Sequence, residues 1–251
     1  MLGVAALLAL LQVEPELLTF GHAHNDYRHP RPLHDALAAY FASVEVDVFL
    51  VDGQLLVGHD RAELKPERTL ESLYLDPLRE RANRFDGAPY YSHNQIWILV
   101  DFKTEAAPTY AALKRTLARY PELKPAHFRF VVSGNRPVAE ILADQGQPAA
   151  LDGRWGDLGK GYPVDVMPWV SEAWGSHFTW RGTAPMPESE KTKLAEMVKT
   201  VHAEGRKIRF WGAPDIPSIW QAQYEAKVDF INTDNLEGIH RWFREYRYGR
   251  G

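Results

Sequence analysis

Short apolar runs alternate with amphipathic stretches from one end of the chain to the other. Strand-like runs fall at 17–23, 43–50, 96–102, 127–132, 148–152, 164–169, 207–211 and 228–232. Helix-like segments lie between most of them, at 32–42, 69–84, 107–120, 136–144, 187–204, 216–226 and 236–246. Pro32, Pro108, Pro137 and Pro217 sit in predicted first turns, where a missing N–H is harmless. Gly205 follows the long helix ending Val201-His202-Ala203-Glu204, a common stop signal. Strand followed by helix, repeated about eight times, predicts an α/β fold of the TIM type, a (β/α)8 barrel. The Gly-rich stretch 153–163 interrupts the alternation and reads as loop. No linker, repeat or low-complexity tract divides residues 17–251, which read as one domain.

In such a barrel, chemistry collects at the C-terminal ends of the strands. The second strand, Val44-Glu45-Val46-Asp47-Val48-Phe49-Leu50, carries the sharpest signal. Side chains alternate along a strand, so Glu45 and Asp47 share one face and the three valines the other. Two neighbouring carboxylates in a buried sheet repel, and each costs several kcal/mol to desolvate unless it is paired. A divalent cation with hard oxygen ligands removes that cost. Asp101, ending the third strand, completes a three-carboxylate site suited to Mg²⁺ or Ca²⁺. Lys103, two residues on and therefore on the same face, is placed to neutralise an anionic transition state. His22 after the first strand and His59 in Gly58-His59-Asp60 titrate near neutrality, as general acid and base require. One divalent ion, two imidazoles and an ammonium group suit phosphodiester cleavage.

The formal charge of −4 with 45% hydrophobic residues fits a folded chain and gives no basic footprint for nucleic acid. With no cysteine, disulfides, thiolate ligands and cysteine nucleophiles are excluded. Residues 1–16 are apolar up to Glu14, too short a run to span a bilayer as a helix. They fit either the core of a secretory signal or anchor, or an N-terminal helix capping the fold. The first choice implies an exported or membrane-associated protein and the second a cytoplasmic one. The chain is expected to be a monomer with a small-molecule or lipid phosphodiester substrate and some contact with a membrane surface.

The order His, Glu-x-Asp, Gly-His-Asp and Asp-x-Lys resembles the glycerophosphodiester phosphodiesterases within the phospholipase C-like phosphodiesterase barrels. The resemblance implies His22 and His59 as acid/base residues, Glu45, Asp47 and Asp101 as metal ligands, and Lys103 as the motif lysine. Trp211 and Asn232-Thr233-Asp234 fall where that group has a tryptophan and a Thr-Asp pair ending its last two strands. Gly21-His22-Ala23-His24-Asn25 and the aspartate at 101 are closer to the sphingomyelinase D branch, which reads Gly-His-x-x-Asn and Asp-x-Lys. The stretch Leu64–Leu78 is similar to the relatives of the altered inheritance of mitochondria protein six. Asn25, Arg154, Trp211 and Asn232 are the expected substrate-binding residues, with Arg154 either gripping phosphate or paired with Asp152 or Asp157. The related barrels form cyclic phosphates, so an internal hydroxyl is the expected nucleophile where the substrate has one. Trp155, Trp169, Trp174, Trp180 and Trp211 offer either an apolar or choline-type lining or core packing.

Two other readings compete. His22-Ala23-His24 is a metal motif in amidohydrolase barrels, although those need further histidines after the fifth and sixth strands. A barrel that only binds lipid is the other, opposed by buried carboxylates that would merely destabilise it. In the phosphodiesterase reading, His24 orients a ligand or the substrate.

Overall fold

The computed structural model describes residues 17–90 and 95–249, so the apolar segment 1–16 lies outside the described residues. Among the described residues, nine strands form one sheet: β1 (Leu18–Ala23), β2 (Phe41–Val51), β3 (Gln54–Val57), β4 (Ile96–Phe102), β5 (Phe128–Gly134), β6 (Ala150–Gly153), β7 (Trp169–Ala173), β8 (Lys207–Trp211) and β9 (Phe230–Thr233). All but β3 are parallel, and β1 pairs with both β2 and β9, which closes an eight-stranded barrel. The described residues also form eight α-helices: α1 (His34–Ala38), α2 (Asp76–Arg84), α3 (Ala106–Leu117), α4 (Val138–Ala143), α5 (Trp174–His177), α6 (Glu188–Ala203), α7 (Pro217–Glu225) and α8 (Leu236–Tyr248). The alternation in the sequence therefore does build a TIM-type barrel. Among the described residues, no helix is long and apolar enough to cross a membrane.

Two elements differ from expectation. The sixth parallel strand runs over Trp169–Ala173 rather than 164–169. The Pro163 carbonyl accepts from the amides of both Val166 and Met167, a turn, and Pro168 has no N–H for a ladder. Strand β2 also outruns the barrel and folds back antiparallel onto β3, with Val51 opposite Gln54. Asp52 and Gly53 make this two-residue turn at φ of 48° and 82°. Positive φ at both central positions matches the right-handed strand twist, and Asp-Gly is a favoured pair there.

The barrel interior changes character with height. Leu99, Val131, Ala150, Trp169 and Phe230, with Trp97 against them, form an apolar plug at the N-terminal end. Trp169 and Phe230 pack edge to face at 4.5 Å. Two residues further along each strand, on the same face, stand Asp101, Ser133, Asp152, Ser171 and Asn232. Strand β2 presents Glu45 and Asp47 to this polar layer, while Val44, Val46 and Val48 are buried in the outer core with the helices. A dry floor beneath a polar upper storey is the setting for the site.

Candidate active site

Parallel register brings the acids together. Asp47 lies opposite Asp101, which lies opposite Ser133, so three neighbouring strands deliver polar groups at one height. Glu45, Asp47 and Asp101 each offer an oxygen within 4.8 Å of the others. Among the described residues, this ligating group contains no histidine, so the His-x-His metal motif of the amidohydrolase reading is not formed. Asp101 comes this close because Gly134, at φ 66°, has no side chain; a Cβ there would overlap Asp101 Oδ1 and the Phe102 backbone.

The two β2 carboxylates are held asymmetrically. Asp47 Oδ2 accepts from Tyr27 Oη at 2.8 Å, His59 Nδ1 at 2.9 Å and Lys103 Nζ at 3.1 Å. Its other oxygen, Oδ1, is buried with no partner. A carboxylate oxygen in that condition costs free energy unless something electropositive meets it, which is what a cation would do. Lys103 also reaches Asp101 Oδ1 at 3.1 Å. Burial, with the charges of Asp47 and Glu45, pushes the Asp101 carboxyl up despite Lys103. The donor set is all hard oxygen and fits a divalent cation of the Mg²⁺ or Ca²⁺ kind.

Glu45 is braced from below by a residue that no motif singled out. Arg209, buried on β8, places Nη1 2.7 Å from Glu45 Oε2 and 2.6 Å from His22 Nε2. Although burial opposes ionisation of Glu45, the Arg209 charge wins and holds its carboxyl far below the usual range. His22 is 0% exposed, and its Nδ1 lies 2.7 Å from Ser43 Oγ. A proton on Nε2 would face the Arg209 donor at hydrogen-bond distance, so His22 is satisfied as the neutral Nδ1–H form. Burial first, and Arg209 second, hold its pKa down at about 4. The expected acid/base role of His22 therefore meets a physical obstacle: its free nitrogen is occupied and no solvent reaches it.

His24, in the turn immediately after β1, has what that role needs. Its side chain is 32% exposed and its Nδ1 lies 2.8 Å from Asp234 Oδ1. Burial acts against its charged form, but the Asp234 hydrogen bond and the Glu45 and Asp234 charges prevail, and its pKa is raised. His59, 45% exposed, is oriented in the same way by Asp47. Each imidazole has Nδ1 on a carboxylate and Nε2 left for chemistry.

The other expected residues divide. Arg154 is one-third exposed at the rim, with Nη1 on Asp152 Oδ2 at 2.5 Å and Nη2 on Ser133 Oγ at 3.1 Å. Trp211 is 47% exposed at the end of β8. Asn25, in the left-handed region, has its Oδ1 3.0 Å from Tyr27 Oη as a second acceptor beside Asp47 Oδ2. The Asn232 amide is closed off from solvent with neither polar atom partnered. Of the tryptophans, Trp169 and Trp174 are core. Tyr27, Arg209 and Asp234 escaped the sequence reading as site residues. Tyr27, three residues beyond His24, and Asp234, in the Thr-Asp pair after the last strand, had local cues, whereas Arg209 had none.

The fold is a TIM-type barrel with an acidic triad on its parallel strands. Residues 17–128 match the family described as AIM6-like phosphodiesterase domain. The chain is 29% identical over 288 residues to altered inheritance of mitochondria protein 6 of Eremothecium gossypii, covering 96% of this chain and 73% of that protein. Among solved structures, a calcium-dependent phosphoinositol-specific phospholipase C from Pseudomonas sp. superposes with a TM-score of 0.61 at 10% identity, covering 87% of this chain and 89% of that one. A glycerophosphodiester phosphodiesterase from Agrobacterium tumefaciens superposes with a TM-score of 0.51 at 14% identity, covering 88% and 97%. The superfamily resemblance carried by the motifs is borne out.

Proposed function

We propose that this protein is a divalent-cation-dependent phosphodiester hydrolase, with His24 and His59 as its acid/base pair. The observation that carries the reading is the flanking of one acidic triad by two imidazoles, each fixed through Nδ1 by its own carboxylate. Glu45, Asp47 and Asp101 would hold Mg²⁺ or Ca²⁺, which supplies charge neutralisation and polarisation of a phosphoryl oxygen. His59 takes the proton of the attacking hydroxyl, and His24, whose pKa is raised, returns one to the leaving oxygen. Lys103 and Arg154 stabilise charge on the non-bridging oxygens. Both are already anchored, Lys103 by Asp47 and Asp101 and Arg154 by Asp152, so neither must be ordered during reaction.

Among the described residues no cysteine competes as nucleophile, and Ser133 is committed to Asp152 Oδ2 at 2.6 Å. An internal hydroxyl near one imidazole gains a large effective molarity over bulk water. The proposed substrates are therefore glycerophosphodiesters or lysophospholipid-like diesters that bear such a hydroxyl and react through a cyclic phosphate. The exposed Trp211 face is the surface offered to an apolar or choline-bearing group. The test is a panel of diesters with and without the adjacent hydroxyl, incubated with Mg²⁺ or Ca²⁺ and followed by ³¹P NMR. Cation-dependent turnover with a cyclic species from the hydroxyl-bearing member is expected. Equal rates with no cyclic species exclude internal attack, and no turnover in any arm overturns the enzymatic reading.

A further inference from the structure

Arg209 lies immediately beneath the acidic triad, and Coulomb's law alone would make it a nuisance. A fixed positive charge beside Glu45 repels any divalent cation that the triad attracts. Its contacts, however, are directional. Nη1 spans Glu45 Oε2 and His22 Nε2, while Nε donates to Ser171 Oγ at 3.1 Å. His22 is itself pinned by Ser43 and by edge-on packing against Trp169 at 6.2 Å. A planar fork held at three points on three different strands fixes the carboxylate that it touches. The Arg209 donor meets Glu45 on Oε2 alone, as all three contacts to Asp47 fall on Oδ2.

We infer that Arg209 is a positioning residue which, itself braced by His22 Nε2, holds one oxygen of Glu45 so that the carboxylate is pre-oriented for a divalent cation shared with Asp47 and Asp101. This rests on the cation-dependent reading proposed above. Preorganisation outweighs repulsion here because the alternative is a flexible Glu side chain that must be ordered each time an ion binds. In this arrangement, the His22 ring is part of the frame of the site.

The experiment titrates wild type, Arg209→Lys and Arg209→Met with Ca²⁺ and with Mn²⁺ alone, by calorimetry and without substrate. Both variants should lose about tenfold or more in affinity, the usual scale for removing a group that orients a ligand. The lysine variant is the decisive one: it keeps the charge and loses the fork. Wild-type affinity in Arg209→Lys would show that charge alone mattered and would overturn the inference. Tighter binding by Arg209→Met would show that Arg209 only repels the ion, and would overturn it equally. A fall in melting temperature with unchanged affinity would reveal a merely structural role. Arg206→Met provides the benchmark for such a role, since Arg206 is buried against the Met167 and Tyr162 carbonyls, away from the triad. Should Arg209→Met fail to fold, Arg209→Lys and Ser171→Ala carry the test, and unchanged affinity in both overturns it. A wild-type protein that binds neither ion removes the cation reading and this inference with it. Wild-type binding with unaltered variants removes this inference alone.

Discussion

His24 and Asp234 stand 210 residues apart in the chain and meet at 2.8 Å, across the seam where β1 closes against β9. This contact turns an exposed histidine into an oriented one and raises its pKa. If His24 is the general acid, its importance depends on how much help the leaving group needs. His24→Ala should lose about 10²–10⁴ in turnover on alkyl diesters. It should lose far less on p-nitrophenyl diesters, whose leaving oxygen needs no proton. His59→Ala should fail on both. Steady-state rates on the two substrate classes check this, and an equal loss for His24→Ala on both would remove its acid role.

Cation binding should stabilise the fold. An ion that binds only the folded state adds about 2.7 kcal/mol at a hundredfold excess over its dissociation constant. Thermal melts with Ca²⁺ or Mg²⁺ against EDTA should show an upward shift in wild type. The shift should vanish in Asp47→Asn and Asp101→Asn, whose oxygens form the triad with Glu45.

Tyr27 offers a milder test of the same frame. Its hydroxyl donates to Asp47 Oδ2, leaving Oδ1 unpartnered. Tyr27→Phe keeps the buried ring, so the fold should be nearly unchanged while cation affinity falls about tenfold. Calorimetry beside a melting curve separates the two effects.

Asp26 sets a pH dependence of stability. It is 0% exposed, accepts from the Leu33 amide at 2.5 Å and Tyr74 Oη at 2.8 Å, and burial pushes its carboxyl up to about 7. A folded pKa above the unfolded one contributes stability that is present at low pH and is lost as pH rises through 7. A shift of about three units corresponds to about 4 kcal/mol. Asp26→Asn removes this dependence, so its stability relative to wild type should grow between pH 4 and pH 8. Urea unfolding across that range checks the sign.

Gly134 is held at positive φ with Asp101 against it. Gly134→Ala should cost about 1–3 kcal/mol from backbone strain and also weaken cation binding by displacing that carboxylate. Loss of stability with unaltered affinity would separate the two consequences.

The sequence by itself determined everything that depends on local period. Strand-helix alternation announced the barrel, and two-residue spacing put Glu45 with Asp47, and Asp101 with Lys103, on single faces, because a strand's side chains repeat every second residue. The Asp52-Gly53 turn is equally local, since Asp-Gly suits the two positive φ angles of a two-residue hairpin. Only the tertiary structure decided which histidine is buried. His22 is inside β1 and His24 is the first residue of the turn beyond it. That step separates a sealed ring beneath Glu45 from an exposed one at the rim. It is set by the stagger of strands around the closed barrel, as His22 opposite Asn232 shows, and no spacing within β1 encodes it. Closure likewise brought Arg209 to Glu45, 164 residues away, and Asp234 to His24. Such pairings arise from where the sheet meets itself, a property of the whole chain and of no segment within it.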